Sequence, residues 1–444
     1  MLLFPCLALL ASAQTCARRV LWYGDFDSMH LLGWRVEEGA NTTVLLEPEY
    51  PWEADVHSEG TVLYDPAANE GAGEYRAYYV SQPGDAANQI LGRMLTVATS
   101  ADGLTNWSRP LFPFVPYQNY SHTNILLRMN GAAEVSQVSV FLNSNSSNSS
   151  SSSSSSNVVR RYEMFFLAKD VPPAFTDDPA RFPPSVTAPC AAARPVSAAY
   201  GGVECTYRMA SDDGFAWEPL EVVGNINAGS SGSFVYRGGG GSYSAFIQLG
   251  LPAPPGAFVP WDVGAGHARM IARAVSNVSS ASDVRRGDAS AGGGRSGGAG
   301  TWSPPAFVAQ ADWRDGQGDQ LVGLYASDTD GDDDDDDDGQ SNGSGGGGGH
   351  SGSGSERFAA CSFGGRRVQV GVLGLFHALD QTIDNQLALS ADGGQSWWRP
   401  ARRPNVPLRP LGEWGSGLIW PFRALVTDAA DAATLHMYVP ARSP

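Results

Sequence analysis

The side chains best suited to chemistry in this 444-residue chain are acids with aromatic neighbours. Glu53, Asp55, His57 and Glu59 crowd into one short stretch directly behind Trp52. Far along the chain, Asp319 ends the segment Asp312-Trp-Arg-Asp-Gly-Gln-Gly-Asp319, which carries Trp313, and Glu413 precedes Trp414. Two carboxyl groups flanking one bond can serve as acid and as base or nucleophile, which is what glycosidic cleavage needs. Glu53, Asp55, Glu59, Asp319 and Glu413 are therefore the expected catalytic acids. Trp52, His57, Trp313 and Trp414 are the expected substrate contacts, since an indole can stack on a sugar face. The plain alternative is a set of solvated loops and of Trp residues wedged into the core.

The elements that must hold these groups are strands. Long helical periodicity is absent, and short Val, Ile, Tyr and Phe-rich runs alternate with Gly, Pro, Asp and Ser. Examples are Tyr75-Arg-Ala-Tyr-Tyr-Val80, Tyr162-Glu-Met-Phe-Phe-Leu167 and Val368-Gln-Val-Gly-Val-Leu373. A unit repeats among them. Ser100-Ala-Asp102-Gly103 leads to Trp107, Ser211-Asp-Asp213-Gly214 to Trp217, and Ser390-Ala-Asp392-Gly393 to Trp397. A broken copy ends its strand at Ser276 and resumes at Trp302. In each unit the Asp bonds turn amides, Gly takes the positive-φ position, and Trp returns as a wedge between sheets. The repeated Asp residues are thus read as structural. Ser211 to Ser276 spans 65 residues, and at that period the mature chain holds about five blades once the low-complexity inserts are discounted. The expected fold is all-β, a five-bladed β-propeller with low-complexity loop insertions at 143–157, 278–300 and 328–356. Such inserts fit hairpin tips, where closure cost grows slowly with length.

Several segments resemble the five-bladed propellers of glycoside hydrolase families 32 and 43, and more closely the secreted proteins similar to the family 32 N-terminal domain. They are Pro51-Trp52-Glu53, Gly60-Thr-Val-Leu-Tyr-Asp65, Asp384-Asn-Gln-Leu-Ala-Leu-Ser390 and Gly412-Glu-Trp-Gly-Ser-Gly-Leu-Ile419. The resemblance implies acids on the innermost strands facing a central funnel. The N-D-P-N-G-like and R-D-P segments of the enzymes are absent, and Glu204-Cys205 matches their E-C pair only superficially. The expected function is a glycoside hydrolase-like protein that acts on or binds carbohydrate. The alternatives are a non-catalytic carbohydrate-binding propeller and a sialidase-like protein, since Ser390-x-Asp-Gly-Gly-x-Ser-Trp397 matches the sialidase Asp-box turn.

The apolar run Leu2–Leu10, followed by Ala11-Ser-Ala13, reads as a signal peptide over 1–13, leaving 14–444 as the propeller domain of a secreted protein. Asn-x-Ser/Thr acceptors at Asn41, Asn106, Asn119, Asn145, Asn148, Asn277 and Asn342 agree with export. Cys16, Cys190, Cys205 and Cys361 remain after cleavage and allow three disulfide connectivities, with Cys190–Cys205 favoured. No zinc motif occurs, and no cofactor or metal is expected. The net charge of −17 argues against nucleic acid, and no further apolar run is long enough to span a membrane.

Overall fold

A computed structural model of the chain describes residues 46–83, 93–128, 134–143, 160–169, 205–224, 234–237, 243–252, 267–276, 302–312, 315, 319–326, 361–363, 366–380, 382–390, 392–399, 418–419, 426–427, 429–430, 435–436, 438 and 441–442. Apart from two short 3-10 turns, Pro51–Glu53 and Asn69–Gly71, the regular elements are all strands. They form consecutive sheets, of which the first three are antiparallel meanders in chain order, while Leu418–Ile419 pairs parallel to Thr382–Ser390 in the fourth. The first holds β1 (Asp55–Asp65), β2 (Glu74–Gln82), β3 (Met94–Ser100) and β4 (Ile125–Arg128). The second holds β5 (Glu134–Leu142), β6 (Tyr162–Lys169), β7 (Cys205–Ser211) and β8 (Glu218–Gly224). The third holds β9 (Phe234–Arg237), β10 (Tyr243–Pro252), β11 (His267–Val275) and β12 (Ala306–Ala309).

The fourth sheet runs from β13 (Gln320–Ala326), with β14 (Cys361–Phe363) beside β15 (Arg366–His377), to β16 (Thr382–Ser390) and β17 (Leu418–Ile419). A separate pair, β18 (Val426–Thr427) with β19 (Leu435–His436), follows, and β20 (Ala441–Arg442) returns to β17.

Strands β2, β3, β13 and β16 are buried along nearly their whole length instead of alternating, with β3 and β13 covered at every residue, whereas β12 is partly exposed throughout. A sheet covered on both faces accounts for the continuous Tyr/Val/Ala runs in the sequence. One apolar cluster joins the first two sheets through Tyr78, Val97, Val138 and Tyr162. A second joins the second, third and fourth through Phe141, Phe165, Phe246, Leu324 and Leu373. A third ties the first sheet to Val426 and Tyr438 near the C-terminus. The first strands of successive sheets meet: β1 contacts β5, β5 contacts β9, β9 contacts β13, and β18 contacts β1.

The Ser-x-Asp-Gly turns all follow the third strand of their sheets, β3, β7 and β16. In the second sheet, Asp213 Oδ1 accepts from the amides of Phe215 and Ala216, both at 2.8 Å, and from Ser211 Oγ at 2.9 Å. Gly214 takes φ +78° there. The broken copy keeps its pairing without the turn, since Ser276 bridges Trp302. Two of the three complete units send their Trp against the preceding sheet: Trp217 meets Tyr78 edge-on at 6.0 Å, and Trp397 meets Phe246 at 5.6 Å.

Candidate functional site

All four sheets share one polarity. Where β1 and β5 begin, Val135 N donates to Arg93 O at 3.3 Å, while at the opposite end the Tyr162 hydroxyl and Arg161 bond Asp65. Where β13 begins, Arg269 stacks over Phe376 at 5.3 Å, while Trp397 packs on Phe246 at the far end. The Asp turns therefore occupy one end of the molecule, and the starts of the first strands occupy the other.

Three expected acids, Asp55, Glu59 and Asp319, lie at this starting end. Strand β1 begins at Asp55, so Asp55, His57 and Glu59 lie within the strand and not in a loop before it. The strand starts early because Asp55, Val56 and His57 pair with Gln82, Ser81 and Val80, ahead of a bulge between His57 and Thr61. Glu59 lies in that bulge, where Arg93 Nη1 holds its Oε1 at 3.0 Å. Burial first, and then the negative charge of Glu59, raise the Tyr325 phenol well above its ordinary value. Glu59 on β1 thus lies within electrostatic reach of β13, three sheets further on.

Asp319 stands immediately before β13. Its Oδ1 lies 3.0 Å from His377 Nδ1, and His377 Nε2 lies 2.7 Å from Asp384 Oδ2. Hydrogen bonding to Asp384, opposed by burial, pushes the imidazole up to about 9, so His377 is a cation between two carboxylates. Arg399 fastens the preceding loop through Asp315, with contacts of 2.8 and 2.6 Å.

Glu53 and Trp52 are fully buried in a different place, beside the outer strands of the first sheet. Arg109 Nε and Asn124 Nδ2 each donate to Glu53 Oε1 at 3.0 Å, and Tyr79 donates to it as well. Trp52 Nε1 donates to Asn124 Oδ1 at 2.8 Å. Burial, followed by the Glu53 charge, raises the Tyr79 phenol far above its ordinary value. This cluster locks the chain leading into β1 against β4. Trp313, Glu413 and Trp414 lie outside the described residues, as do Glu204 and Cys190. The described part of the low-complexity tracts is limited to Asn143.

The acids have polar company, of which the sequence marked only Asp384, as the head of the Asp384–Ser390 segment. Ser81, Ser136, Gln137, Thr206, Gln320 and Asp384 are all buried at the starting end of their sheets, as their strand pairings show. Among the described residues, Ser81 Oγ, Ser136 Oγ, Thr206 Oγ1, Gln320 Oε1, Asp384 Oδ1 and both amide atoms of Gln137 have no protein partner. Gln137 also adopts φ +56° in a bulge of β5, a left-handed conformation costly for any residue but Gly. The Thr61 hydroxyl clips that bulge to β1, donating to Val138 O at 2.9 Å and accepting from Val140 N at 3.2 Å. No run of letters marks Gln137, because its strain and its unmet amide arise only once β5 is paired.

No known family's sequence profile matches the chain. No curated protein matches it either. Among solved structures, it is similar to a fructofuranosidase from Schwanniomyces occidentalis complexed with fructosylnystose, at 10% identity and a TM-score of 0.42, covering 90% of this chain and 62% of that one. It is also similar to an endo-arabinase from Bacteroides thetaiotaomicron, at 11% identity and a TM-score of 0.35, covering 89% and 96%. A Hadza microbial sialidase matches at 11% identity and a TM-score of 0.33, over 81% and 48%.

Proposed function

We propose that the chain is a carbohydrate-binding, glycosidase-like five-bladed propeller that takes its sugar where β1, β5 and β13 begin. The observation that carries this reading is the gathering of unmet hydroxyl, amide and carboxylate atoms at that one end, beside Glu59 and Asp319. Buried polar atoms in native proteins find partners, and a polyhydroxylated ligand offers donors and acceptors in the required density. Glu59 and Asp319 are each already paired to a cation, an arrangement suited to accepting hydrogen bonds from sugar hydroxyls. In the catalytic form of the proposal they are the two carboxyl groups flanking the scissile bond. Asp55, His57, Trp313, Glu413 and Trp414 are further contacts in the same proposal, whereas Glu53 and Trp52 anchor the site from behind. The leader at 1–13 exports the protein.

Purified full-length chain, assayed on fructans, arabinans and sialylated glycans for binding and sugar release, tests the reading. Glu59→Gln and Asp319→Asn are each expected to lose about tenfold in affinity or turnover, equivalent to about 1.4 kcal/mol, while still folding. Binding without sugar release in the wild type removes the hydrolytic form and leaves the binding one. Wild-type affinity in both variants removes the site.

A further inference from the structure

The connection between β3 and β4 is unlike its counterpart in the second sheet. The chain passes from β7 to β8 in the six residues 212–217, but β3 and β4 are separated by the 24 residues 101–124. The extra length holds an inserted hairpin. Phe112 and Thr123 exchange backbone hydrogen bonds of 2.7 and 2.9 Å, and Tyr117 and Tyr120 close its tip at 2.8 and 3.0 Å. Folding leaves four large apolar side chains of this connection in solvent: Leu104, Leu111, Phe114 and Tyr120 are each 40–46% exposed. Exposed apolar groups gathered on one loop are an aggregation liability unless something covers them.

The same connection carries two acceptor tripeptides, Asn106-Trp-Ser108 and Asn119-Tyr-Ser121. Both asparagines are exposed. Asn106, at φ +50°, leaves the Asp102 turn, and Asn119 sits in the two-residue tip between Tyr117 and Tyr120. Each therefore lies in a turn of the same connection that exposes the apolar groups, with Asn106 Nδ2 donating to Thr105 Oγ1 at 3.1 Å.

We propose that Asn106 and Asn119 carry N-linked oligosaccharides that cover this apolar hairpin. The carboxamide nitrogen takes the oligosaccharide from a lipid-pyrophosphate donor. A bond forms from Nδ2 to the anomeric carbon, the anomeric carbon–oxygen bond breaks, the lipid pyrophosphate leaves, and Nδ2 gives one proton to solvent. The bulky, hydrated product supplies the polar surface that Leu104, Leu111, Phe114 and Tyr120 lack. The inference is independent of the carbohydrate-binding site, which lies at the start of β1 and β13.

The test is expression of the full chain in cells that perform N-glycosylation, with peptide mapping before and after enzymatic deglycosylation. Asn106 and Asn119 are expected to be converted to Asp on deglycosylation. Ser108→Ala and Ser121→Ala are each expected to remove one glycan while leaving the asparagine in place. Because the Ser108 hydroxyl also bonds Thr99 Oγ1 at 3.1 Å, Ser108→Thr serves as its control and is expected to keep the glycan. The Ser108→Ala/Ser121→Ala protein is expected to bind an apolar dye severalfold more than the wild type. Recovery of the chain with both asparagines unmodified overturns the assignment. Glycosylation with unchanged dye binding in the double variant overturns the covering role.

Discussion

His377 makes the fourth sheet sensitive to alkaline pH. Its two ring nitrogens lie 3.0 and 2.7 Å from Asp319 and Asp384. These contacts raise it from 6.5 to about 9. A group raised by folding stabilises fully below its unfolded value and loses that contribution as pH climbs through its folded value. The window is therefore pH 6.5 to about 9, and the direction is loss of stability with rising pH. At ~1.4 kcal/mol per tenfold change in proton affinity, the ceiling is about 3 kcal/mol. A quarter of the His377 side chain is exposed, and solvent screening reduces the figure to about 1–2 kcal/mol. Urea unfolding of the wild type and of His377→Gln at each end of the window isolates the effect. The wild type is expected to lose about 1–2 kcal/mol more than the variant. Equal losses, or an imidazole that titrates at its ordinary value, would refute the reasoning.

Two further perturbations separate packing from backbone effects. A Cβ on Gly214 would stand 2.4 Å from Arg76 Nη1 and 2.6 Å from the Tyr78 hydroxyl, whereas on Gly393 it meets nothing within 4 Å. Both glycines have positive φ, so Gly393→Ala is expected to cost about 1 kcal/mol and Gly214→Ala about 2–4 kcal/mol, with equal thermal shifts contradicting the assignment. Glu163 is buried and receives Arg208 and the Tyr243 hydroxyl, which joins the second sheet to the third. Glu163→Ala strands the Arg208 charge and is expected to cost about 3–5 kcal/mol by denaturant unfolding, and Glu163→Leu with Arg208→Met less than that.

The repeat was legible because it is local. Ser, Asp and Gly at fixed spacing dictate the turn, and Ser100, Ser211 and Ser390 each hold their own Asp and a following glycine amide by side-chain hydrogen bonds. The acids were only half legible. Glu53 and Glu59 look alike in a string of letters, yet one is sealed under Trp52 and Asn124 and the other lies in a bulge of β1. What separates them is the register of β1 on β2, which places Asp55 opposite Gln82 and moves the strand's start ahead of its apolar run. Gln137 and Gln320 were invisible, and Asp384 stood out only as the head of the Asp384–Ser390 segment, because an unmet polar atom is a property of packing and not of residue type.

The wedge and the turn together link neighbouring sheets. Trp217 of the second sheet packs on Tyr78 of the first, and the Tyr78 hydroxyl donates to Gly214 O at 3.0 Å. In the first sheet, Trp107 packs on Tyr438 at 6.2 Å, and the Tyr438 hydroxyl donates to Gly103 O at 3.0 Å. Tyr438 therefore does for the first Asp turn what Tyr78, on a second strand, does for the second. It follows β19, the second strand of the β18–β19 pair, whose first strand contacts β1. The C-terminal strands thus hold, relative to the first sheet, the place that the first sheet holds relative to the second. The Trp wedge and the tyrosine hydroxyl on the turn carbonyl form one contact set used twice, at the Asp102 turn and at the Asp213 turn.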